Sequence, residues 1–274
     1  IFLIYFLFQM QIRLFQILKL CSCLYYNRFI MKKALVVLSG GQDSTTCLFW
    51  AIKNGYECSA ITFEYNQIHS LEISSSIKIA KMANIENHKI LNLGSIFEGD
   101  SPLTNRNKIL ETKNDLKDFK KGIQETFVPS RNIVFLSLAA NYAYTIGANC
   151  LITGICQTDY AGYPDCRGDF INSLENTLSL GLDKKIQIIT PLLDLQKFQI
   201  VQLAKEIGDK CWNALAYTHT SYCGNFPPKG DDHASLLRAK GFEDAGLPDP
   251  LILRAFKEGL LDLPKSKNYE NQIK

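Results

Sequence analysis

A short polar run between an apolar segment and a helix-like segment carries the clearest chemical signal in the sequence. Its residues are Leu38, Ser39, Gly40, Gly41, Gln42, Asp43, Ser44, Thr45 and Thr46. Adjacent glycines allow a tight turn with several N–H groups facing one point, and Ser44 and Thr45 are expected to cap the following helix. Such a turn binds phosphate, and Asp43 is placed to hold a magnesium ion that bridges phosphates. The run lacks a Walker lysine, and an ordinary strand-to-helix turn is the alternative.

Alternating apolar runs and helical patterns around this turn predict an α/β fold. Five short apolar runs predict strands at 34–38, 59–63, 88–93, 150–154 and 186–190. Helical patterns cover 46–54, 69–84, 133–146, 170–180 and 198–207, with Ser130 as the expected cap of the third. This alternation predicts a parallel five-stranded sheet with helices on both faces. Ligands bind at the carboxyl ends of such strands. The residues there are Ser39, Glu64, Gly154 and Pro191.

Length and composition are those of a globular protein. The 274 residues suffice for one large domain, or for one domain with a small addition. The net charge of +3 is mild and the basic residues are scattered, which argues against a nucleic-acid partner. Nine cysteines, an odd number mostly inside apolar patterns, indicate reduced thiols and predict a cytoplasmic protein.

The first thirty residues need a separate interpretation. Residues 1–26 are strongly apolar and aromatic, but polar and charged side chains interrupt them before they reach the length of a membrane span. The interrupting residues are Gln9, Gln11, Arg13, Gln16 and Lys19. Met31 directly precedes the first predicted strand, as a natural start does. We therefore expect residues 1–30 to be an extension outside the fold and expect no membrane association; a membrane anchor or signal peptide is the alternative.

Two further segments differ from the α/β pattern. Between residues 99 and 122, charges of both signs replace apolar residues, which predicts a solvated surface loop, with a lid over the nucleotide as the alternative. From Cys211 onward, loop-forming and aromatic residues dominate, apart from a helix-like run at 234–241. We therefore divide the chain into a larger domain at 31–210 and a small C-terminal unit at 211–274.

Four strings together resemble one enzyme family. They are residues 38–46 (LSGGQDSTT), 127–132 (FVPSRN), 159–167 (DYAGYPDCR) and 237–242 (LRAKGF). The first resembles the pyrophosphate loop of the N-type ATP pyrophosphatase superfamily, whereas GYPDCR looks specific to the 7-cyano-7-deazaguanine synthases of queuosine precursor biosynthesis. The resemblance extends from Met31 to about Leu251.

The resemblance implies a Rossmann-like fold of the adenine nucleotide alpha hydrolase type and an ATP-dependent ligase, expected as a homodimer. Members look like enzymes that join ammonia to the carboxylate of 7-carboxy-7-deazaguanine, first as an amide and then as the nitrile 7-cyano-7-deazaguanine (preQ0). A carboxylate does not react with an amine because oxide is a poor leaving group. Transfer of AMP to its oxygen supplies a good one, and the same logic covers expulsion of the amide oxygen. The enzyme mainly positions the reactants and stabilises charge.

The resemblance also implies a catalytic set of Asp43, Arg131, Asp165 and Arg167. Residues 38–46 bind the ATP phosphates, with Asp43 as the contact of Mg²⁺. Arg131 neutralises the reacting phosphorus or the departing pyrophosphate, because its fork matches paired phosphate oxygens. A surface salt bridge at the start of a helix is the alternative role for Arg131.

The turn at 159–167 is implied to bind the deazaguanine. Asp159 and Asp165 would accept hydrogen bonds from the ring edge, Tyr163 would stack on the ring, and Arg167 would meet the substrate carboxylate. A purely structural turn, fixed by its glycine and proline, is the alternative.

A weaker match follows the second predicted strand. Residues 64–69 (EYNQIH) resemble the family's YGQRH segment but depart from it at Asn66 and Ile68. Gln67, His69 and Glu72 are candidates for contacts with substrate or with a second subunit, and ordinary helix-start chemistry is the alternative.

The family's four zinc-binding cysteines have no counterpart here. Aligned on the family spacing C-x7-C-x2-C-x2-C, their positions fall at Ser221, Lys229, Asp232 and Ser235. A structural zinc site needs four good ligands, so we expect zinc to be absent or weak, although Cys223 and His233 lie nearby. The family's metal looks structural and apart from the pyrophosphate loop. Catalysis is therefore expected to survive, with prolines, aromatic residues and leucines packing the C-terminal unit.

Two other functions stay open. One is a related enzyme that joins an activated carboxyl group to another amine, or that serves tRNA thiolation or NAD synthesis; the missing thiolates and the mild charge argue against thiolation. The other is a degenerate copy that binds ATP or deazaguanine without catalysis. Intact Asp43, Arg131 and Asp165 argue against degeneracy, and the lost cysteines argue for it.

Overall fold

Five parallel strands form the sheet on which the fold is built. They are β1 (Lys33–Val37), β2 (Glu57–Glu64), β3 (His88–Asn92), β4 (Cys150–Ile152) and β5 (Gln187–Ile189). Their order in the sheet is β3-β2-β1-β4-β5, and every neighbouring pair is parallel. Val36 of β1 pairs with Ala60 of β2 and with Ile152 of β4. The predicted parallel five-stranded sheet is therefore confirmed.

The computed structural model describes residues 32–272 apart from 68–70, 98, 106, 119–122, 159–162 and 223. Residues from Lys33 onward belong to a single compact unit. The expectation for residues 1–30 lies outside the described residues. Within the described ranges, no helix combines the length and apolar character needed to cross a bilayer.

Eight α-helices lie in the described residues. They are α1 (Gln42–Lys53), α2 (Leu71–Met82), α3 (Arg131–Thr145), α4 (Gly168–Gly181), α5 (Lys197–Ile207), α6 (Asp209–Leu215), α7 (His233–Asp244) and α8 (Pro250–Lys257). The sequence patterns predicted all of these except α6 and α8. The loop predicted from Cys211 onward was wrong at its start, because Cys211, Ala214 and Leu215 are buried at helical spacing. A start signal for α8 was available, since Asp249 is its N-cap, with a side chain that accepts from the Leu251 N–H, and Pro250 follows at the first helical position.

The helices cover both faces of the sheet. On one face, Val36 packs in a cluster with Leu48 of α1 and Ile200 of α5. On the other face, Leu35 packs in a cluster with Leu136 of α3 and Ile171 of α4. Helices on both faces are therefore confirmed.

The residues beyond position 210 share the first of these clusters. Cys211 and Leu215 of α6 and Phe242 of α7 are buried together with Val36 and Leu48. The C-terminal segment therefore contributes to the same apolar core as the central strand.

Of the predicted N-caps, Ser130 is the N-cap residue of α3, whereas Ser44 and Thr45 do not cap α1. The N-cap of α1 is Gly41, and the helix begins before Ser44 and Thr45, whose hydroxyls donate back to the Gly41 carbonyl at 3.2 and 2.8 Å. Ser130 precedes α3 in a left-handed conformation, and its side chain makes no capping hydrogen bond. Because glycine has no side chain, Gly41 leaves the first-turn N–H groups of α1 to a ligand.

Candidate active site

A cavity of about 360 Å³ opens at the carboxyl ends of β1, β2 and β4. The strand order reverses direction between β1 and β4, and such a switch point is where open α/β sheets bind ligands. Each of the four strings singled out in the sequence contributes to the wall. The contributions are residues 38–39 and 41–44, Arg131 with Asn132, Tyr163 with Cys166, and Leu237 with Arg238.

Two glycines let the backbone close around the polar turn after β1. Gly40 has φ +89°, and a Cβ there would lie 2.3 Å from the carbonyl oxygen of Glu72. A Cβ on Gly154 would lie 2.8 Å from the backbone nitrogen of Ser44. Larger residues would therefore push α2 and the end of β4 away from this turn, which we call the phosphate loop (residues 39–44).

The side chains of the phosphate loop suit an anionic ligand. Gln42 is only 3% exposed, and its side-chain nitrogen has no hydrogen-bond partner among the described residues. A buried amide donor without a partner is costly, so its place in the cavity wall favours a ligand that accepts a hydrogen bond from it. The Ser39 and Ser44 hydroxyls lie 3.0 Å apart at the same wall. These residues therefore fit a phosphate group at the N-terminus of α1.

Three residues of the predicted ATP-binding run are not part of the wall. Gly40 lies behind it, and Thr45 and Thr46 are buried inside α1, where their hydroxyls donate to backbone carbonyls one turn earlier. Leu38, in contrast, follows β1 directly and lines the cavity. The run therefore divides into residues that face the cavity and residues that hold it in place.

A lysine that the sequence analysis missed pairs with the loop aspartate. Lys197, the first residue of α5, lies with its Nζ 3.1 and 2.9 Å from the two carboxylate oxygens of Asp43. Both residues line the cavity. A Cβ on Gly241 of α7 would lie 2.4 Å from Lys197 Cγ, so the lysine stem crosses α7 where that helix has no side chain. Lys197 supplies the positive charge that the loop itself lacks.

A second set of polar residues lies on α2, α3 and the segment after β2. Arg131 lines the cavity and donates from Nη1 to the Tyr65 hydroxyl at 3.5 Å. Glu72 also faces the cavity, and burial raises its pKa to about 7 although Arg131 opposes the shift. Burial raises the pKa of Tyr65 for the same reason. Gln67 lines the cavity, and its side-chain oxygen accepts a hydrogen bond from the Tyr65 backbone N–H at 2.9 Å.

The predicted substrate residues occupy different places. Tyr163 lines the cavity beside Arg131, and burial raises its pKa. Asp165 is buried behind the wall and accepts a hydrogen bond from the Asn132 backbone N–H at 3.3 Å, which fixes the turn to the start of α3. Burial raises the pKa of Asp165. Arg167 is exposed at the N-cap of α4 and does not line the cavity.

Two predicted residues, Asp159 and His69, lie outside the described residues. The substrate roles of Asp159, Asp165, Arg167 and His69 stay predictions.

The C-terminal segment forms part of the same wall. The His219 backbone N–H donates to the Gly40 carbonyl at 2.9 Å, and Thr220, Ser221 and Tyr222 line the cavity. The C-terminal segment therefore lies next to the phosphate loop. Among the described residues, no group of three or more His, Cys, Asp and Glu side chains is arranged to hold a metal, and Cys223 lies outside them.

The predicted surface loop at 99–122 also reaches the cavity. Ser101 and Pro102 are buried, and Leu103 lines the wall. Farther along, the Lys113 backbone N–H donates to the Asp231 carbonyl at 2.8 Å. The prediction of a wholly solvated loop was therefore wrong in its first part.

Comparison with known proteins identifies close relatives. The family model described as "Queuosine biosynthesis protein QueC" matches residues 33–246. A 7-cyano-7-deazaguanine synthase of Chromobacterium violaceum is 44% identical over 235 residues, which cover 85% of this chain and 98% of the relative. Proteins of the same name from Laribacter hongkongensis and Gloeobacter violaceus are 44% and 41% identical, each over 81% of this chain and over 94% and 96% of their own lengths.

Solved structures are more distant. A 4-thiouridine synthetase in complex with RNA and ATP aligns over 84% of this chain and 53% of its own, at 21% identity and a TM-score of 0.41. A likeness at that level carries no inference about function.

Proposed function

Since this chain belongs to the QueC family of queuosine biosynthesis proteins, we propose that it forms 7-cyano-7-deazaguanine from 7-carboxy-7-deazaguanine, ammonia and ATP. The observation that carries the proposal is the single cavity to which all four family-like strings contribute. The phosphate loop forms one part of the cavity wall and fits the phosphates of a nucleotide. Arg131 and Tyr163 form another part and fit a planar carboxylic acid, so both substrates can bind in the same cavity. The chain also covers nearly the full length of relatives that carry the synthase name.

The ATP phosphates bind at the N-terminus of α1. Backbone N–H groups, the Gln42 amide and the Ser39 and Ser44 hydroxyls surround that point. Lys197 adds a positive charge beside Asp43. Asp43 is the residue that would hold Mg²⁺, and the ion, when bound, neutralises charge on the phosphate oxygens.

The carboxylate substrate binds beside Arg131 and Tyr163. The tyrosine offers a flat surface for the ring, and Gln67 offers an amide to its polar edge. Arg131 stabilises negative charge on the phosphorus centre or on the departing pyrophosphate, because its guanidinium stays charged within the wall.

The chemistry proceeds in two activations. A carboxylate oxygen attacks the α-phosphorus of ATP and pyrophosphate leaves; ammonia then attacks the carbonyl carbon, AMP leaves with the oxygen, and one proton is released to give the amide. The amide oxygen attacks a second ATP in the same way. Loss of AMP and of both nitrogen-bound protons leaves the carbon–nitrogen triple bond. Each nitrile therefore requires two ATP molecules.

The test is a product assay with purified protein, MgATP, ammonium and 7-carboxy-7-deazaguanine. We expect nitrile and AMP from the wild type and neither from Asp43→Ala, whose loop lacks the carboxylate. AMP without nitrile would indicate another amine acceptor. ATP binding without AMP would indicate a degenerate binding protein, and either result contradicts the proposal.

The same proposal includes four further points: free ammonia is the nitrogen source, the protein is a homodimer, it has no nucleic-acid partner, and it is cytoplasmic. Sedimentation equilibrium tests the dimer, and a mass of 31.0 kDa would contradict it. Omission of ammonium from the assay, with glutamine supplied in its place, tests the nitrogen source.

A further inference from the structure

Three polar side chains, of which Ser221 lines the cavity, form a buried cluster at the wall. Ser221, Asp232 and Ser235 are 2%, 0% and 6% exposed. Both serine hydroxyls donate to Asp232 Oδ2, Ser221 at 2.8 Å and Ser235 at 2.7 Å, and the Ser235 backbone N–H donates to Asp232 Oδ1 at 3.0 Å. A buried carboxylate needs such donors, and here both oxygens have them. We call these residues the serine–aspartate cluster.

The cluster occupies three of the four positions at which the resemblance places zinc ligands. Serine hydroxyls are poor zinc ligands, and the Asp232 oxygens already accept three hydrogen bonds. The fourth position is Lys229, an exposed cation. These residues therefore do not fit a tetrahedral zinc ion.

The cluster holds two segments of the chain together, as a structural metal ion would. Asp232 is the N-cap of α7, so its carboxylate fixes the start of that helix. Ser221 belongs to the segment that precedes α7 in the chain and returns to the cavity. The hydrogen bond between Ser221 and Asp232 therefore joins the cavity segment to the start of α7. In a relative with zinc ligands at these positions, the metal would make the same connection.

A buried arginine on α7 holds the same segment from its other end. Arg238 is 3% exposed and donates to the Asp249 carboxylate at 2.6 and 2.9 Å. It also donates to the hydroxyls of Thr218 at 2.7 Å and Thr220 at 2.9 Å, and to the Leu215 carbonyl at 3.2 Å. Its guanidinium thus joins α6, α7 and the residue before α8.

The segment held between these two groups, residues 218–222, is the one that contacts the phosphate loop. His219 donates its backbone N–H to Gly40 at 2.9 Å, and the following residues line the cavity. Loss of either anchor would therefore loosen the wall next to the phosphates and not only a remote C-terminal unit.

We propose that the serine–aspartate cluster replaces a zinc ion, so that this chain holds residues 218–222 against the phosphate loop without a metal. The part concerning the cavity wall rests on the proposed function. The part concerning the metal does not, because metal content and thermal stability are measured without turnover.

The first test measures zinc by mass spectrometry in protein purified without a polyhistidine tag, and the melting temperature with and without a strong chelator. We expect well under one zinc per chain and no change of melting temperature. One tightly held zinc per chain, or a melting temperature that falls with chelator, would overturn the proposal.

The second test compares Asp232→Asn and the milder Ser235→Ala with Asp244→Asn, an exposed aspartate on the same helix. We expect the melting temperature to fall by roughly 3 to 12 °C in Asp232→Asn, by less in Ser235→Ala, and not in the control. The Kd for MgATP should rise roughly fivefold or more in whichever cluster variant is folded, since the wall contacts the loop. A Kd equal to that of the control would show that the cluster does not hold the cavity wall, and equal melting temperatures would overturn the cluster itself.

Discussion

Lys197 lies 154 positions from Asp43 in the chain, yet the two side chains form the ion pair at the phosphate loop. A sequence string reports only chain neighbours, so the loop motif gives no hint of this partner. The available signal was positional: Lys197 begins the helix that follows β5, at the edge of the sheet where ligands bind. Arg131, Tyr163 and Gln67 reach the cavity from strings that the sequence analysis did single out.

Replacement of Lys197 tests its role at the phosphates. In Lys197→Ala we expect kcat/KM for ATP to fall by roughly 100- to 1000-fold, because a preorganised positive charge next to the reacting phosphates is lost. Steady-state kinetics measures this. The matched control is Lys205→Ala, an exposed lysine on the same helix, which should retain wild-type kinetics. A Lys197→Ala enzyme within threefold of wild type would contradict a role for this ammonium group.

Glu72 provides a prediction about pH. Burial raises its pKa from 4.5 to about 7, so the fold favours the protonated form. The contribution of Glu72 to the free energy of unfolding is then fully present below about pH 4.5 and is lost as the pH rises to about 7. Glu72→Gln keeps a neutral group, so it should match wild type at pH 4 and exceed it by about 1 to 2 kcal/mol at pH 8.

Urea unfolding of ligand-free protein at pH 4 and pH 8 measures that difference. Glu86→Gln, at an exposed position one turn beyond α2, should show the same difference from wild type at both pH values. A pH-independent effect of Glu72→Gln would contradict the raised pKa.

In the proposed reaction, a carboxyl group that titrates near neutral pH can accept a proton from the bound amine.

Sequence periodicity predicted the strands and most of the helices around the cavity, but it did not predict where each of them begins and ends. Apolar runs and turn residues placed all five strands, because fully buried parallel strands leave a strong pattern. The start of α1 was placed four residues late, since Ser44 and Thr45 look like caps and yet Gly41 is the N-cap of the helix. A short helix such as α6 has too few residues for a clear apolar period. Its helical structure depends instead on the burial of its apolar side chains against α1.

The end of β4 approaches the start of α1 closely, because Gly154 has no side chain. Gly154→Ala places a methyl group 2.8 Å from the Ser44 nitrogen and 2.9 Å from the Asp43 carbonyl carbon, both of which are backbone atoms. We expect a loss of about 1 to 3 kcal/mol in unfolding free energy and a rise in the Kd for MgATP, because the phosphate loop must shift. Gly181→Ala at the end of α4, where none of the described residues lies within 4 Å of the added methyl group, should be neutral in both assays. Equal behaviour of the two variants would contradict the contact.

At the scale of the whole molecule, the cavity is built from both sides of the boundary placed near residue 210. The sequence showed a change in character there, because loops and aromatic residues replace periodic patterns. That change in sequence character does not reveal which residues are buried or which backbone groups form hydrogen bonds. Cys211, Leu215 and Phe242 pack into the core of the sheet, and His219 bonds to Gly40. The C-terminal residues therefore supply part of the proposed ATP site.

In the proposed reaction, the phosphate loop serves transfer of AMP to an oxygen of the substrate. The most direct test of this transfer uses 7-carboxy-7-deazaguanine labelled with ¹⁸O at both carboxylate oxygens, with MgATP and ammonium in unlabelled water. We predict two AMP molecules per nitrile, each carrying one ¹⁸O on its phosphate, together with unlabelled pyrophosphate. Unlabelled AMP, or ¹⁸O in inorganic phosphate formed with ADP, would contradict transfer of AMP to the substrate.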